Sequence, residues 1–351
     1  MAGADQFTGR GGQINDAGVT DALFLKQFSG EVLSAFDEFN VMMPLHTVRT
    51  ISSGKSAQFP VIGDTMADYH SAGTDMLIVD GQNNAGTNLA DYNYKQILHH
   101  ERTIAIDDML VAPQLIPSID EAKSHYDYRS EYTRQMGAAL ARQTDRHLIR
   151  SLIRGAFSTT TAATDLPLVD GGGEISLGGV DLAETSITSA VLVTSLFEAA
   201  ARLDASNIPD QDRYVVLTPT LYYNLLSGGT AAAFDISTSV ANSDIGGSGF
   251  ASGKVPMVAG FEIYKSNNVL HRNTVYADPT GGNNDYSGAT TDDVLGLVFH
   301  KSAVGTVKLL DLSVESEYII SRQATFMVAK YAMGHGMLRP EASIALTTVN
   351  A

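Results

Sequence analysis

The sequence VRTISSGKSAQFPVIG, residues 48–63, decides between two incompatible structures that share its central tripeptide. Residues 54–56, GKS, match the end of the phosphate-binding pattern G-x-x-x-x-G-K-[ST], whose first glycine lets successive backbone N–H groups face the phosphates. That first position is Arg49 here. Polar and apolar residues alternate over 56–61, which is the period of an extended strand and not of the helix that the motif requires. The sequence therefore predicts a strand over residues 48–61 with a turn or flexible point at Gly54, rather than a nucleotide-binding loop.

A return strand is predicted over residues 94–107. Its apolar and long side chains fall on one face at a period of two, namely Leu98, His100, Arg102, Ile104 and Ile106. The two strands would form a long hairpin that reaches beyond its own domain. Its apolar residues Phe59, Val61, Ile104 and Ile106 are then expected to be buried mainly by packing on a neighbouring subunit.

The far end of this hairpin is acidic. Between Lys55 and Lys95 there is no Lys or Arg, and the acidic residues there are Asp64, Asp68, Asp75, Asp80 and Asp91. The same stretch is rich in Gly and Asn, which predicts an exposed tip.

A long helix is predicted over residues 119–154. Ser118 and Glu121 form an S-x-x-E capping box after a proline, and Gly155 would end the helix. Five arginines recur at intervals of four or eight residues, and they are Arg134, Arg142, Arg146, Arg150 and Arg154. Such spacing predicts a basic ridge, either a solvated face that also favours the helix C-terminus or a surface for a polyanion or an acidic partner.

The remaining elements indicate an α+β protein. A short amphipathic helix is predicted over 23–39, and an α/β lobe is predicted from a helix over 187–203, strands over 214–217 and 261–264, and a short helix after Pro219. Four C-terminal segments rich in β-branched and aromatic residues predict an antiparallel sheet, over 294–300, 304–314, 323–331 and 343–349.

Composition limits the classes of function. The formal net charge of −16 argues against a surface that wraps nucleic acid on all sides, although local basic patches stay open. The absence of cysteine removes disulfides and thiolate chemistry and fits assembly in a reducing cytoplasm. No basic region followed by an apolar run opens the chain, and no stretch approaches 18 apolar residues, so neither a signal peptide nor a membrane span is expected.

Three groups of residues are candidates for chemistry, and none has a supporting motif. In His99-His100-Glu101, neighbours on a strand point to opposite faces, so at most two side chains could share a metal ion. The pair Asp107-Asp108 fails as an acid/base dyad for the same reason, and the expected role is at a helix N-terminus or in a turn. His335 has no nucleophile elbow or second histidine near it in sequence. No catalytic, cofactor-binding or metal-binding residue is therefore predicted.

Several blocks of sequence, together with residues 48–63, resemble the major capsid proteins of short-tailed phages of the coliphage T7 group. They are LFLKQFSGEVLSAF (23–36), HYDYRSEYTRQMG (125–137), HKSAVGTVKLLDL (300–312) and VAKYAMGHGMLRPEAS (328–343). The resemblance implies the Hong Kong 97-type fold. Its parts would be an N-terminal arm (1–47), an extended hairpin loop (48–110), a peripheral domain (111–184 and 276–351) with a spine helix over about 119–154, and an axial domain (185–275).

The resemblance also implies a function in assembly. Copies would form the pentamers and hexamers of an icosahedral shell around double-stranded DNA, with a scaffolding protein during assembly, a portal protein at one vertex, and no enzymatic activity. Two alternatives stay open at this point: a shell of the same fold that encloses protein cargo, and an enzyme built on the α/β lobe.

Two surfaces are predicted to serve this assembly. The acidic tip would meet basic residues of an adjacent subunit, and the expected interface residues around the hairpin are Arg49, Lys55, Phe59, Val61, Arg102 and Ile104. The arginine ridge would face the inside of the shell, toward scaffold or DNA.

Overall fold

The structure is a computed structural model of the 351-residue chain. It describes residues 35–36, 39–62, 99–119, 128–158, 172–180, 186–227, 257–269, 283–284, 286 and 293–349. Most of the predicted arm, the acidic hairpin tip and residues 120–127 of the predicted long helix lie outside the described residues. Of the helix predicted over 23–39, Ala35, Phe36 and Phe39 are described, and they are helical.

Helices and sheets together make up the described part of the chain, as the predicted α+β class requires. The principal helices are α1 (Tyr128–Ala156), α2 (Ser189–Ala205) and α3 (Pro219–Ser227). The strands are β1 (Thr47–Thr50), β2 (Ser56–Ile62), β3 (His99–Ala105), β4 (Leu110–Pro117), β5 (Gly173–Val180), β6 (Arg213–Leu217), β7 (Met257–Val258), β8 (Phe261–Lys265), β9 (Asp293–His300), β10 (Val304–Ile319), β11 (Ala324–Met337) and β12 (Ser343–Val349).

The single strand predicted over residues 48–61 is in fact two strands that belong to different sheets. β1 pairs in parallel with β10, whereas β2 pairs antiparallel with β3 and forms the predicted hairpin. Gly54 lies in the connection between them at a φ of +124°, a conformation that residues with a side chain rarely adopt. The predicted turn at Gly54 is thereby confirmed.

The four C-terminal segments are strands, but they do not form one sheet. β10 and β11 are the centre of a four-stranded sheet of order β1-β10-β11-β4. β9 and β12 belong to a six-stranded mixed sheet of order β5-β12-β9-β6-β8-β7. The prediction of a single antiparallel sheet is wrong because strand propensity identifies strands and leaves their partners open.

The predicted α/β lobe is present in its elements. α2, β6, α3 and β8 occupy the segments assigned to them, and α3 begins at Pro219, where a missing N–H costs nothing. The largest core cluster lies between these helices and the six-stranded sheet. That sheet contains strands from within the predicted axial domain (185–275) and strands from outside it. The boundaries at 185 and 275 remain a prediction.

Helix α1 is the long helix that the sequence predicts, and its 29 described residues span about 43 Å at 1.5 Å per residue. It packs along β4, β11 and β12. Gly155 does not end it, since the helix continues to Ala156. A Cβ at Gly155 would lie 2.7 Å from the Ser343 hydroxyl and 3.1 Å from the Met337 sulfur. This glycine therefore allows close packing of the last turn against the strands and is not a terminator.

Candidate assembly surfaces

The base of the hairpin lies on the four-stranded sheet of its own subunit. Ile104 on β3 is 2% exposed. Its side chain covers Gly305 and Gly336, where an added Cβ would come within 3.3 and 2.9 Å of it. The apolar cluster that holds the base consists of Ala57, Ile104, Ile106, Val307, Ala332 and Leu338, with Ile51, Phe59 and Leu309 packed against it.

This geometry corrects the expectation that Ile104 and Ile106 pack on a neighbouring subunit. Both are buried inside the chain that carries them, because the glycines of β10 and β11 leave room for the hairpin base on the sheet. Ile104 thus has almost no surface left for an interface. Phe59 is half-buried, and the side chain of Val61 lies outside the described residues.

Arg49 links the four-stranded sheet to the hairpin. Its side chain is exposed, and Nη1 donates a hydrogen bond of 2.6 Å to the carbonyl oxygen of Gln58 on β2. The guanidinium carbon lies 5.8 Å from the ring centroid of Phe59, within the range of a cation–π contact. Gln58 in turn donates to Glu101 on β3 across 3.0 Å. Arg49 therefore braces its own hairpin while one side of it faces solvent.

The two other basic residues predicted for this interface differ in exposure. Lys55 is exposed, and its backbone carbonyl accepts the N–H of Ile106 at 2.9 Å, which closes the hairpin base. Arg102 is half-buried opposite Phe59, and within the described part of the chain its buried Nε has no hydrogen-bond partner. Among the described residues, Arg49 and Lys55 are thus exposed positive charges beside the hairpin base.

The arginine ridge on α1 is shorter than the spacing predicts. Arg134, Arg142, Arg146 and Arg154 are exposed, whereas Arg150 is 4% exposed. Tertiary packing buries the side chain of Arg150, and the spacing alone does not show this, since Arg154 lies about 40° further around the helix in the same direction and is exposed. Arg150 therefore belongs to the core side, which corrects its assignment to the ridge.

Two residues of the ridge remain as a free pair of charges one turn apart. Arg134 is held by Glu131 at 3.9 Å and lies 5.4 Å from the ring centroid of Phe39. Arg142 and Arg146, by contrast, make no hydrogen bond or ion pair with any residue that the structure describes. We call these two residues the arginine pair. It is an exposed cationic site on a protein whose net charge is −16.

His335, the candidate catalytic base, is part of a buried hydrogen-bonded chain. Nδ1 of His46 lies 2.8 Å from the carbonyl oxygen of Met42 and so carries the hydrogen. Nε2 of His46 then accepts from the Thr306 hydroxyl at 2.5 Å, and that hydroxyl accepts from Nδ1 of His335 at 2.8 Å. Burial lowers the pKa of His46 to about 4 and that of His335 well below its usual value. Both rings are neutral and structural, and His335 is shielded from any substrate in solvent.

Asp145 anchors the N-terminal segment to α1, and sequence analysis missed it. Its carboxylate accepts the backbone N–H groups of Val41 and Met42, each at 3.1 Å, and the amide of Asn268 at 3.4 Å. Burial raises its pKa to about 6 despite these donors. One signal could have identified it, since Asp145 lies among Ala141, Leu148 and other residues of the apolar helix face.

The candidate metal-binding cluster His99-His100-Glu101 gains no support from the described residues. Glu101 is exposed, and the side chains of His99 and His100 lie outside the described residues. Where the chain is described, no group of three or more His, Cys, Asp and Glu side chains is close enough to hold a metal ion. In the same residues, no helix has the length and apolar character needed to cross a bilayer.

The chain is similar to known capsid proteins over nearly its whole length. A family model described as Gp10A-like, major capsid protein, matches residues 58–347. The major capsid protein of Escherichia phage T7 is 34% identical over 362 residues, covering 99% of this chain and 98% of that one. The major capsid protein of Enterobacteria phage T3 is 35% identical, covering 99% and 97%. A solved capsid structure of the cyanophage P-SCSP1u matches with a TM-score of 0.69 and 40% identity, covering 89% of each chain.

Proposed function

The chain belongs to the Gp10A-like family of major capsid proteins, and from this premise we propose that its copies form pentamers and hexamers of an icosahedral shell around double-stranded DNA. It is a shell-forming capsid protein of the Hong Kong 97-type fold. The observation that carries the proposal is the match to phage major capsid proteins across 99% of the chain. Its role is structural, and we extend this to the absence of an enzymatic activity.

The division of labour within the subunit is part of the proposal. The arm (1–47) and the hairpin loop (48–110) would contact neighbours. The peripheral domain (111–184 and 276–351) and the axial domain (185–275) would form the shell wall. Symmetry closes such a shell because every subunit repeats the same contacts, and repetition makes individually modest contacts sufficient.

Charge supports one contact between subunits. Between Lys55 and Lys95 there are five Asp residues and no Lys or Arg. Arg49 and Lys55 are exposed beside the hairpin base. Opposite charges across an interface favour the correct docking and disfavour contacts between like patches. We assign the acidic tip of one subunit to this basic region of the next.

The proposed partners during the life of the shell are a scaffolding protein, a portal protein at one vertex and the packaged DNA. Assembly would take place in the cytoplasm of the host bacterium, which agrees with a chain that has no cysteine. The excess of acidic residues would keep DNA from adhering to the wall as it is packaged.

Co-expression with a candidate scaffolding protein, followed by electron microscopy, tests the shell. We expect closed particles of uniform size, and we expect DNA inside particles purified from infected cells. Only monomers and small oligomers across a range of salt and protein concentrations would contradict the shell, and native particles that hold protein instead of DNA would contradict the genome-enclosing function.

Reversing the charge of the arginine pair tests the inner surface. The double variant Arg142→Glu and Arg146→Glu should reduce the yield of DNA-filled particles about tenfold, because two cationic contacts per subunit become repulsive toward phosphate or acidic scaffold. Stability of the subunit should change little, since both side chains are exposed and unpaired within the described residues. The measurement is the ratio of filled to empty particles in a density gradient.

A matched control separates local from global charge. Arg322→Glu changes the net charge by the same amount as Arg146→Glu, at an exposed position on the turn between β10 and β11. Packaging should respond to Arg146→Glu and not to Arg322→Glu. Equal effects of the two single variants, or no effect of the double variant, would refute the assigned role of the arginine pair.

A further inference from the structure

Two short connections without strand structure join the hairpin to the rest of the subunit. Residues 51–55 lead from β1 to β2, and residues 106–109 lead from β3 to β4. Gly54 in the first has a φ of +124°, with the nearest atoms to an added Cβ at 3.8 and 3.9 Å, so no neighbouring group confines it. Glycine is the residue with the most backbone freedom. The first connection therefore does not fix the direction of the hairpin by itself, so contacts elsewhere must help to set it.

Asp107, in the second connection, is the hub of such contacts. Its Oδ1 accepts the backbone N–H of Asn283 at 2.7 Å, the backbone N–H of Asn284 at 3.1 Å and the Asn284 side-chain amide at 3.0 Å. Its Oδ2 accepts the hydroxyl of Tyr286. A carboxylate that accepts several donors forms charge-assisted bonds, which are stronger and more directional than neutral ones.

Asn283 and Asn284 also form hydrogen bonds with the last residue of β3 and with the first residue of the connection that follows it. The amide of Asn284 donates to the carbonyl oxygen of Ala105 at 2.7 Å, and its oxygen accepts the N–H of Ala105 at 3.2 Å. Asn283 donates to the carbonyl oxygen of Ile106 at 2.6 Å. Backbone groups that would otherwise be unpaired at the end of the hairpin are thus satisfied by a segment almost 180 residues away in sequence.

Tyr286 connects these hydrogen bonds to the four-stranded sheet and to α1. It is 1% exposed, and its hydroxyl accepts the backbone N–H of His335 on β11 at 2.9 Å. Its ring stacks on His147 of α1, with centroids 4.3 Å apart and planes 7° from parallel. One side chain therefore contacts the hairpin connection, the four-stranded sheet and the long helix.

We propose that Asp107, Asn284 and Tyr286 form a clamp that orients the hairpin within each subunit before it meets a neighbour. This proposal rests on the proposed function, in which the hairpin contacts adjacent subunits. A binding element held in its bound direction loses less conformational entropy on association, so the clamp lowers the subunit concentration at which shells form.

The test removes one hydroxyl from the clamp. In the unassembled subunit, Tyr286→Phe keeps the ring that stacks on His147 but loses the bonds to Asp107 and His335, so amide hydrogen exchange in β2 and β3 should accelerate about tenfold. Exchange in α1 and in the six-stranded sheet should not change. Asp107→Asn, which removes the charge but not the volume, should have the same local effect. Both variants should raise the threshold concentration for assembly several-fold.

A matched control is Tyr264→Phe, which removes a hydroxyl bonded to Glu262 on β8 of the other sheet. It should leave exchange in the hairpin unchanged. Unchanged exchange in β2 and β3 of the clamp variants, or equal acceleration in α1, would overturn the clamp. Faster exchange with an unaltered assembly threshold would overturn its role in assembly. Hydrogen exchange in the free subunit tests the clamp even where wild-type protein forms no shells, which is the outcome that would count against the proposed function.

Discussion

Replacing Gly334 with alanine is expected to displace the hairpin from the four-stranded sheet and to abolish assembly. A Cβ at this position would lie 1.8 Å from the carbonyl oxygen of Ala105 and 2.9 Å from its carbonyl carbon. Both are backbone atoms at the end of β3, so no rotamer change can relieve the overlap. The end of the hairpin must move away, and Ile104 and Ile106 then lose their contacts with the sheet.

The expected loss of stability for Gly334→Ala is on the order of 3 kcal/mol, because overpacking is combined with exposure of buried apolar side chains. Urea unfolding of the subunit measures it, and electron microscopy of co-expressed protein measures assembly. Gly336→Ala is the matched control on the same strand. Its added Cβ meets Ile104 Cγ1 at 2.9 Å, which is a side-chain atom and not backbone, so its cost should be smaller, about 2 kcal/mol. Equal effects of the two substitutions would contradict the expected overlap of a Cβ at position 334 with the backbone of Ala105.

Acidification from pH 6.5 to 4 is expected to destabilise the subunit. His46 and His335 are buried and neutral, and burial lowers the pKa of both, to about 4 for His46 and further for His335. In the unfolded chain they take up protons at their ordinary pKa of about 6.5. The contribution of these neutral histidines to the free energy of unfolding is therefore fully present above pH 6.5 and is lost as the pH falls. For His46 alone, the difference between its pKa in the unfolded chain and its pKa of about 4 in the folded protein corresponds to about 3 kcal/mol.

Asp145 acts in the opposite direction over part of this range. Burial raises its pKa to about 6, so the folded state takes up a proton before the unfolded state does, and stability gained from this group increases between pH 6 and about 4. Burial also raises the pKa of Asp107, which acts in the same direction as Asp145, and we expect the two histidines together to outweigh these two carboxylates. Protonation of His46 at Nε2 also removes the acceptor of the Thr306 hydroxyl and breaks the buried chain.

The measurement is the free energy of unfolding at a series of pH values between 7 and 4. Wild-type protein should lose stability across the series. Asp145→Asn should lose it more steeply, because one of the opposing groups is gone, and His46→Asn should lose it less steeply. A wild-type stability that stays level or rises on acidification would show that these histidines are not buried in neutral form.

Local pattern in the sequence was sufficient for most elements and for the family. The alternation after Gly54 predicted β2, and the helical period predicted the long helix, which is described over 128–156. Pro219 marked the start of α3, and quoted blocks from both ends of the chain identified a capsid protein of the Hong Kong 97-type fold. Each of these signals lies within one segment, so no knowledge of distant residues was needed.

Side-chain environments were less accessible to the same reasoning. Arg150 shares the spacing of Arg142, Arg146 and Arg154, yet of these four it alone is buried. Glycine is common at the end of a helix, but the role of Gly155 is set by its close contact with Ser343 and Met337. The spacing within a helix gives the relative directions of its side chains, and only the packed partner decides which of those directions is buried.

By itself, the sequence determined the principal helices, the hairpin, the strands after residue 293, the turn at Gly54 and the family, because these depend on neighbours along the chain. Tertiary structure decided where the hairpin base lies, how the C-terminal strands divide between two sheets, and which polar groups are buried. His46 meets Thr306 across 260 positions, and Asp107 meets Asn284 across 177. Contacts over such separations cannot be read from the spacing of residues in either segment. That spacing reflects only the helix or strand to which each residue belongs.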